Sequence, residues 1–280
     1  MKEFGSDFHS LNISAIHDNT IFTYYPNAIF VADGRQAIEL LIIYYKWKRI
    51  WIPEYFCWEI IEYIQHRCKI EVKTYFDNPL NEEIYLVEKL SFIDGDVLLR
   101  MNYFGLRQYR NYSNISIPVI EDHSHNIFDE WSQNSKADFC IASLRKTLPL
   151  AGGGMIWSNS HNLSKLSTLI ENSHQNEQLA RIRWQAMEDK AHYLNINETE
   201  CNSSLKDSFR AKYIQTEEGF DHLPISRISI LDKLFLEKFD INEWHNRKLQ
   251  NWQLLIHTLS KILITKDIRI CLLYTSDAAD

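Results

Sequence analysis

The sequence predicts an α/β fold in which a mainly parallel sheet is covered by helices. Six short segments, bounded by glycine, proline or polar residues, have the length and composition of strands. Stretches with apolar residues at helical spacing separate several of these runs, and such alternation is typical of parallel sheets. The predicted strands are residues 49–53, 70–76, 96–105, 117–122, 138–143 and 154–157, and residues 29–32 form a further short apolar run.

The first third of the chain alternates between strands and helices. Polar residues break the run 29–32, and residues 37–45 then have the continuous apolar character of a buried helix. The run 49–53 ends at a proline, which favours the end of a strand. Residues 54–66 follow, with apolar residues on one side at helical spacing, and they predict a second helix.

The middle of the chain supplies the remaining strands. Residues 70–76 alternate between polar and apolar types, and the apolar run 96–105 stops at a glycine. The run 117–122 ends in two acidic residues, 138–143 ends in serine, and 154–157 begins with glycine. These runs are short and bounded, as buried strands are.

The last part of the chain is predicted to be helical. The pattern is helical and polar from residue 158 to about 215, with Leu163, Leu166 and Leu169 on one face, and it is strongly helical over 228–262. We predict four parts, which are an N-terminal arm (1–25), a large domain (26–225), the beginning of a small C-terminal domain (226–270) and a foreign tail (271–280).

The tail of ten residues, 271–280, fits nothing that precedes it. It resembles translated adapter sequence of the kind found in some environmental assemblies, so we expect the natural protein to continue differently after about Ile270. On this interpretation the chain is truncated at its C-terminus, within the small domain.

Composition excludes several classes of protein. Of the 280 residues, 45% are hydrophobic and 13% aromatic, which is enough for a large core and unlike a disordered chain. The net charge of −7 argues against a general nucleic-acid binder, because neutralising phosphates requires a basic face. The five cysteines form no CxxC pair, which favours reduced thiols over disulfides or zinc.

The sequence also lacks the marks of secretion or membrane insertion. The N-terminal residues are acidic without an apolar core, unlike a signal peptide. The longest apolar candidate, Ile38 to Tyr45, contains Glu39 and is too short to span a membrane. We therefore expect a soluble cytoplasmic protein.

One lysine stands out by its surroundings. Lys146 lies in a short polar segment and is followed by three consecutive glycines, residues 152–154, and an apolar run. Consecutive glycines usually mark a turn or a close approach of the main chain to something. A lysine near glycine-rich backbone is a candidate for Schiff-base chemistry, in which a desolvated amine attacks a carbonyl. The alternative is a surface lysine beside a hairpin turn.

Polar residues follow the ends of three predicted strands: 102–105, Asp122 with His125, and 143–146. In open α/β sheets the carboxyl edge of the strands is where ligands bind, so we expect these groups to converge there. Gly34 opens the predicted helix 37–45, and free N–H groups at a helix start can bind an anion. An ordinary loop-to-helix turn explains that glycine equally well.

Taken together, these features resemble the DegT/DnrJ/StrS-type sugar aminotransferases, in a divergent Ser-Leu-Arg-Lys branch. The resemblance covers residues 25–260 and rests on the order of the motifs along the chain. Those motifs are the glycine-led helix start, Pro53 after a strand, a strand ending at Gly105, Glu121-Asp122-x-x-His125, and Ser143-x-x-Lys146 followed by Gly153-Gly154. The family's members are fold-type I enzymes that use pyridoxal 5′-phosphate (PLP), so the resemblance implies that fold and that cofactor.

The resemblance also implies roles for individual residues. Lys146 would form the covalent link to PLP and later move a proton, and Asp122 would pair with the pyridine nitrogen. His125 would lie beside the cofactor. The phosphate would be bound by Gly34, Arg35, Gln36 and Ser143, with Arg35 in place of the family's threonine. The aromatic residue that stacks on the ring would be Phe56 or Trp58, since Cys57 occupies the expected position. No metal is implied.

The implied reaction moves an amino group, with glutamate as the expected donor, to a keto group on a nucleotide-linked sugar for surface-polysaccharide or amino-sugar synthesis. The family's sites lie between two subunits, so a homodimer is expected, with no nucleic-acid or membrane partner. Two alternatives remain open: a PLP enzyme of another reaction type, such as a lyase, and a non-catalytic sugar-binding scaffold. The sequence departs from the family pattern in two ways. The spacing around Ser143 is shortened, and Gly152 stands where the family has an acidic residue.

Overall fold

The computed structural model of the chain describes residues 7–11, 17–80, 85–105, 107, 112–196 and 203–262. Within these residues, seven strands form one sheet in the order β1-β7-β6-β5-β4-β2-β3. Strand β7 runs antiparallel to both of its neighbours, and the other six strands share one direction. The strands are Ile29–Val31 (β1), Arg49–Pro53 (β2), Glu71–Tyr75 (β3), Asp96–Met101 (β4), Val119–Asp122 (β5), Phe139–Ser143 (β6) and Gly154–Trp157 (β7).

Helices cover this sheet, which confirms the predicted α/β class with a mainly parallel sheet. Two of the helices, α6 and α7, are long and pack against each other. The described helices are Ile21–Tyr24 (α1), Gly34–Tyr45 (α2), Trp58–Tyr63 (α3), Tyr85–Glu88 (α4), Glu130–Asn134 (α5), His174–Asn195 (α6), Ser203–Asp221 (α7), Ile230–Leu236 (α8) and Ile241–Ile262 (α9).

The sheet has a hydrophobic core on each face, because successive side chains of a strand point in opposite directions. On one face Leu98 and Val119 pack with Phe235 and Leu236 of α8. On the other face the alternate residues of the same strands pack against α2 and its neighbours. Residues 230–236 thus belong to the same core as the strands, and the predicted domain boundary at 225/226 stays a prediction.

The predicted boundaries needed three corrections. The strand predicted over 96–105 ends at Met101, and the turn Tyr103–Gly105 that follows includes Phe104, whose left-handed φ of 55° a strand cannot accommodate. The helix predicted over 54–66 begins only at Trp58 and continues as a wider turn over Ile64–Cys68. The helical stretch predicted from residue 158 begins as an α-helix only at His174, and Leu169 of its expected apolar face is exposed on a short 3₁₀ turn.

Helix α2 begins at the carboxyl edge of the sheet, and its start is specified locally. Asp33 is the N-cap, and its side chain accepts a hydrogen bond from Gln36 N at 2.9 Å. The helix then buries an apolar face of Ile38, Leu41 and their neighbours, which the continuous apolar pattern predicted. It ends where Lys46 adopts a left-handed conformation.

The glycine run explains how β7 approaches the end of β1. A Cβ atom on Gly154 would lie 2.0 Å from the carbonyl oxygen of Asp33, so no other residue fits there. Gly153 has a φ of +97° and donates its N–H to the carbonyl of Ala32. The close approach predicted for this segment is therefore confirmed, and the approaching group is the main chain at Ala32 and Asp33.

No described helix combines the length and apolar character needed to cross a membrane. The predicted tail, 271–280, lies outside the described residues, as do parts of the predicted N-terminal arm.

Candidate functional site

Five of the predicted site residues lie together at the carboxyl edge of the sheet, and we call them the edge site: Gly34, Asp122, His125, Ser143 and Lys146. Asp122 and Ser143 are the last residues of the neighbouring strands β5 and β6. Gly34 is the first residue of α2, and Lys146 ends a 3₁₀ turn that follows β6 directly. The strand ends therefore bring a carboxylate, a hydroxyl, an imidazole and an amine to one place.

A short relay of hydrogen bonds joins Asp122 to Ser143. The buried Asp122 accepts from Ser124 N through Oδ1 at 2.8 Å, and Ser124 Oγ accepts from Ser143 N at 2.8 Å. No hydrogen bond from the described residues reaches the second oxygen of Asp122, Oδ2. The carboxylate is thus oriented by one oxygen while the other remains able to bind a partner.

Lys146 is half-buried and is held by its backbone rather than by its amine. Its turn is closed by Thr147 N donating to Leu144 O at 3.0 Å, and Leu144 N donates to Gly153 O at 2.8 Å. No hydrogen bond or ion pair joins the Lys146 amine to another described residue. An amine without a carboxylate partner can act as a nucleophile once it loses its proton.

His125 has a fixed orientation and tautomer. Its Nδ1 accepts a hydrogen bond from Phe104 N at 3.0 Å, so the proton of the neutral ring lies on Nε2. Its ring stacks on Phe104, with centroids 5.1 Å apart and planes 5° from parallel. Burial, and secondarily the charge of Lys146, lower the pKa of His125 to about 3. The His125 ring therefore presents an uncharged, flat surface next to the Lys146 amine.

This lowered pKa predicts a contribution of His125 to acid sensitivity. The unfolded chain binds a proton near pH 6.5 whereas the folded chain resists it, so stability is lost as pH falls from 6.5 towards 3. We expect His125→Gln to reduce the slope of the free energy of unfolding against pH between pH 6.5 and 4.5, measured by urea denaturation. The exposed His66, changed to glutamine, is the control, and equal slopes for the wild type and His125→Gln would contradict the prediction.

The start of α2 lies directly against Ser143. A Cβ atom on Gly34 would come within 2.7 Å of Ser143 Cβ, so glycine is required for this contact. Ser143 Oγ, like the Lys146 amine, has no hydrogen-bond partner among the described residues. The hydroxyl thus lies at the start of a 12-residue helix, a place where phosphates bind, although the Asp33 carboxylate already accepts from Gln36 N there.

Gln36 and Arg35, the other predicted phosphate ligands, already have protein partners. The N–H of Gln36 is bound by Asp33, and its side chain donates to Pro224 O and accepts from Ser226 N, both at 2.9 Å. Gln36 thereby joins α2 to the segment that precedes α8. A role for its side chain in binding phosphate stays a prediction.

The guanidinium of Arg35 belongs to a charged cluster beside the edge site. It pairs with Asp221 and lies 3.9 Å from Glu217, both at the end of α7. Arg145, next to Lys146, also binds Glu217, with N–O distances of 2.9 and 3.0 Å. Burial by itself raises the pKa of Glu217, but the positive charges of Arg145 and Arg183 outweigh it and lower this pKa, so the carboxylate stays ionised.

The candidates for the ring-stacking aromatic lie in different environments. Phe56 is half-buried and packs against the core on the α2 face. Trp58 is 66% exposed and donates from Nε1 to Glu62 Oε1 at 2.9 Å, on the outer side of α3. Cys57 is an exposed thiol at the N-cap of α3. No contact among these described side chains selects either aromatic, and both assignments stay predictions.

Beneath the edge site, Glu121 is buried as the acceptor for several donors. Its carboxylate accepts from Tyr112 Oη, from Trp131 Nε1 at 3.0 Å and from Ser135 Oγ, and it lies 3.0 Å from His123 Nε2. Cys140 lies near the same oxygens, and burial raises the pKa of its thiol. Both oxygens are thus occupied by protein donors, and the group supports the strand ends from below.

Sequence reasoning missed Phe104 and the contacts that surround Lys146. Phe104 was placed inside a strand, although its left-handed backbone turns its ring onto His125. Only the glycine at position 105, which ends the apolar run, signalled a turn there. The contacts of Arg145 with Glu217 join residues 72 positions apart and leave no local signal.

Comparisons with known proteins add little to the geometry. No protein-family model matches the sequence, and no curated protein is significantly similar to it. Among similar solved structures, Spr1654 of Streptococcus pneumoniae in its PLP form, assigned as a sugar aminotransferase, has 13% identity and a TM-score of 0.43, and the match covers 59% of this chain and 56% of that one. DesI with its TDP-sugar product has 11% identity and a TM-score of 0.43, with 51% of this chain and 40% of that one covered. NtdA of Bacillus subtilis with PMP has 15% identity and a TM-score of 0.36, with 50% of this chain and 34% of that one covered.

The chain spans little more than half the length of Spr1654 and less of the other two. Likenesses with TM-scores of 0.36–0.43 carry no functional conclusion. The function is therefore inferred from the side chains of the edge site.

Proposed function

We propose that the chain is a PLP-dependent aminotransferase that passes an amino group from an amino acid, glutamate in the first instance, to a keto group on a nucleotide-linked sugar. The observation that carries the proposal is the edge site itself. Three groups lie at one sheet edge. They are the Lys146 amine, which has no hydrogen-bonding partner among the described residues, the buried Asp122 carboxylate with one unbonded oxygen, and the N-terminus of α2 beside Ser143. This donor set fits the aldehyde, the ring nitrogen and the phosphate of PLP.

When bound, PLP supplies an aldehyde that condenses with amines and a ring that accepts electrons from the substrate. The protein's residues would do the rest. Lys146 would bind the aldehyde carbon and, once displaced by the amino donor, carry a proton between donor and cofactor. Oδ2 of Asp122 would hold the proton on the ring nitrogen. The N-terminus of α2 and Ser143 would bind the phosphate, and the neutral His125 would flank the ring.

The nucleotide-linked sugar, the glutamate donor and a homodimer come from the sequence resemblance, and they are the finer part of the proposal. The Arg35 and Arg145 guanidinium groups beside the edge site support an anionic substrate, although Glu217 and Asp221 bind them here. Sedimentation of the purified protein would test the dimer. A lyase or a sugar-binding scaffold would not aminate a keto-sugar, so an amino-transfer assay separates these alternatives.

The first test is trapping of the cofactor by the purified wild-type chain. We expect a visible absorption band on addition of PLP, loss of that band on borohydride reduction, and a reduced adduct that peptide mapping assigns to Lys146. Lys165, which is exposed, is the internal control and should carry little adduct. A folded sample without a band, or with its adduct mainly on another lysine, would contradict the proposal.

A further inference from the structure

Helix α9 is hydrogen-bonded to the turn that contains Lys146. The carbonyl oxygen of Thr147 accepts hydrogen bonds from Trp244 Nε1 at 2.8 Å and from Lys248 Nζ at 2.9 Å. The two donors are four residues apart, so they lie one turn apart on the same face of α9. Two donors on one helix face therefore converge on a single acceptor, which belongs to the residue after Lys146.

The same turn is also hydrogen-bonded to the glycine run. Leu144 N donates to Gly153 O at 2.8 Å, two residues before Lys146. Lys146 thus lies between an anchor to Gly153, the residue before β7, and an anchor to α9, while its own amine makes no hydrogen bond within the described residues. Its position depends on the backbone anchors on either side.

The setting of Lys248 indicates a specific role rather than an incidental surface contact. Its amine lies 5.6–5.8 Å from the ring centroids of Phe8, Phe128 and Trp244, within the range of cation–π contacts. Burial among these rings lowers the pKa of Lys248 to about 7. Placing an amine there costs free energy, and the bond to Thr147 is one of the interactions that offset this cost.

Helix α9 is itself fixed to the core, so it can serve as a rigid support. Ile241 is buried and donates its N–H to Asn19 O at 3.0 Å. The rings of Phe239 and Trp244 are in edge contact, with centroids 5.6 Å apart. A support that is fixed at its base can transmit a fixed position to the turn it binds.

We infer that Trp244 and Lys248 are positioning residues, which hold the Lys146 amine in the place where it attacks an aldehyde. The inference rests on the proposed function, because the aldehyde is taken to be that of the cofactor. Neither residue needs to touch the cofactor, since both act through the Thr147 carbonyl. A displacement of about 1 Å of a reacting group can slow its reaction on the order of a hundredfold.

The test uses Lys248→Met, Trp244→Phe, the double variant and the conservative Lys248→Arg. Arg247→Met is the matched control, because Arg247 lies on the same helix, is exposed and pairs with Glu243. One measurement is the rate at which PLP forms a borohydride-trapped adduct on Lys146. The other needs no cofactor: it is the acetylation of Lys146 by acetic anhydride relative to that of Lys165, read by mass spectrometry.

We expect each single variant to slow adduct formation about tenfold and the double variant up to about a hundredfold. The acetylation ratio should shift in the same variants, whereas Arg247→Met should change neither value and Lys248→Arg should restore much of both. Trp244→Phe removes no charge, so agreement between it and Lys248→Met assigns the effect to position rather than to the lost charge of Lys248.

A purely structural role of α9 predicts a different result. The variants would lower the midpoint of thermal unfolding, but below that temperature the adduct rate and the acetylation ratio would match the wild type, which would overturn the inference. Should the wild type form no adduct with PLP, the proposed function fails, and the acetylation ratio alone decides whether α9 positions Lys146. Should Lys248→Met fold poorly, Trp244→Phe, which removes the other donor to the Thr147 carbonyl, gives the same decision.

Discussion

Lys146→Ala is expected to remove the covalent link to PLP and to abolish amino transfer. No other group in the edge site is a primary amine, and only a primary amine forms a reversible imine with an aldehyde. Loss of a residue that acts as the nucleophile typically lowers the rate by a factor on the order of 10⁴ or more. The measurements are the visible spectrum with PLP, the borohydride-trapped adduct and the transfer of an amino group from glutamate.

Two further variants show whether the amine itself is what matters. Lys146→Arg keeps the positive charge but has no imine-forming amine, so it should behave like Lys146→Ala. Lys165→Ala removes an exposed lysine and should behave like the wild type. If Lys146→Ala still traps PLP on one lysine, the nucleophile has been assigned wrongly. Lys248, whose pKa is lowered to about 7, is then the first residue to map.

The strand pattern could be predicted because it is local. Short apolar runs bounded by polar residues or glycine mark buried strands regardless of what they pair with, and each predicted run contains an observed strand. The direction of β7 could not be predicted, because an apolar run of four residues can pair with its neighbours in either a parallel or an antiparallel direction. Its antiparallel pairing with β1 and β6 arises only in the folded sheet, where Gly154 also permits a close approach to Asp33.

The edge site could be predicted in part for a related reason. Asp122 and Ser143 end strands, and strands that share a direction end at one edge, so a topological rule sufficed to bring them together. The partners of the predicted residues could not be deduced in this way. Gln36 binds Pro224 and Ser226, which lie 188 and 190 positions away in the sequence, and such contacts arise only when the chain is folded.

Asp122→Asn is expected to slow amino transfer about a thousandfold while leaving the covalent link to PLP in place. The substitution conserves the shape of the side chain, and its amide oxygen can still accept from Ser124 N as Oδ1 of Asp122 does at 2.8 Å. The change therefore removes the negative charge and not the local structure. A pyridine nitrogen keeps its proton in a buried site only beside such a charge, and loss of a preorganised electrostatic partner costs roughly a hundredfold to a thousandfold.

The measurement is the single-turnover rate with glutamate, followed by the change in the cofactor's spectrum and compared with the rate of adduct formation on Lys146. Asp207→Asn, an exposed position on α7, is the matched control and should leave both rates unchanged. A thousandfold loss confined to the glutamate step assigns Asp122 to the ring nitrogen. A wild-type rate would mean that Asp122 serves only as the acceptor for Ser124 at the end of β5, and the edge site would then need another source of negative charge for an aminotransferase.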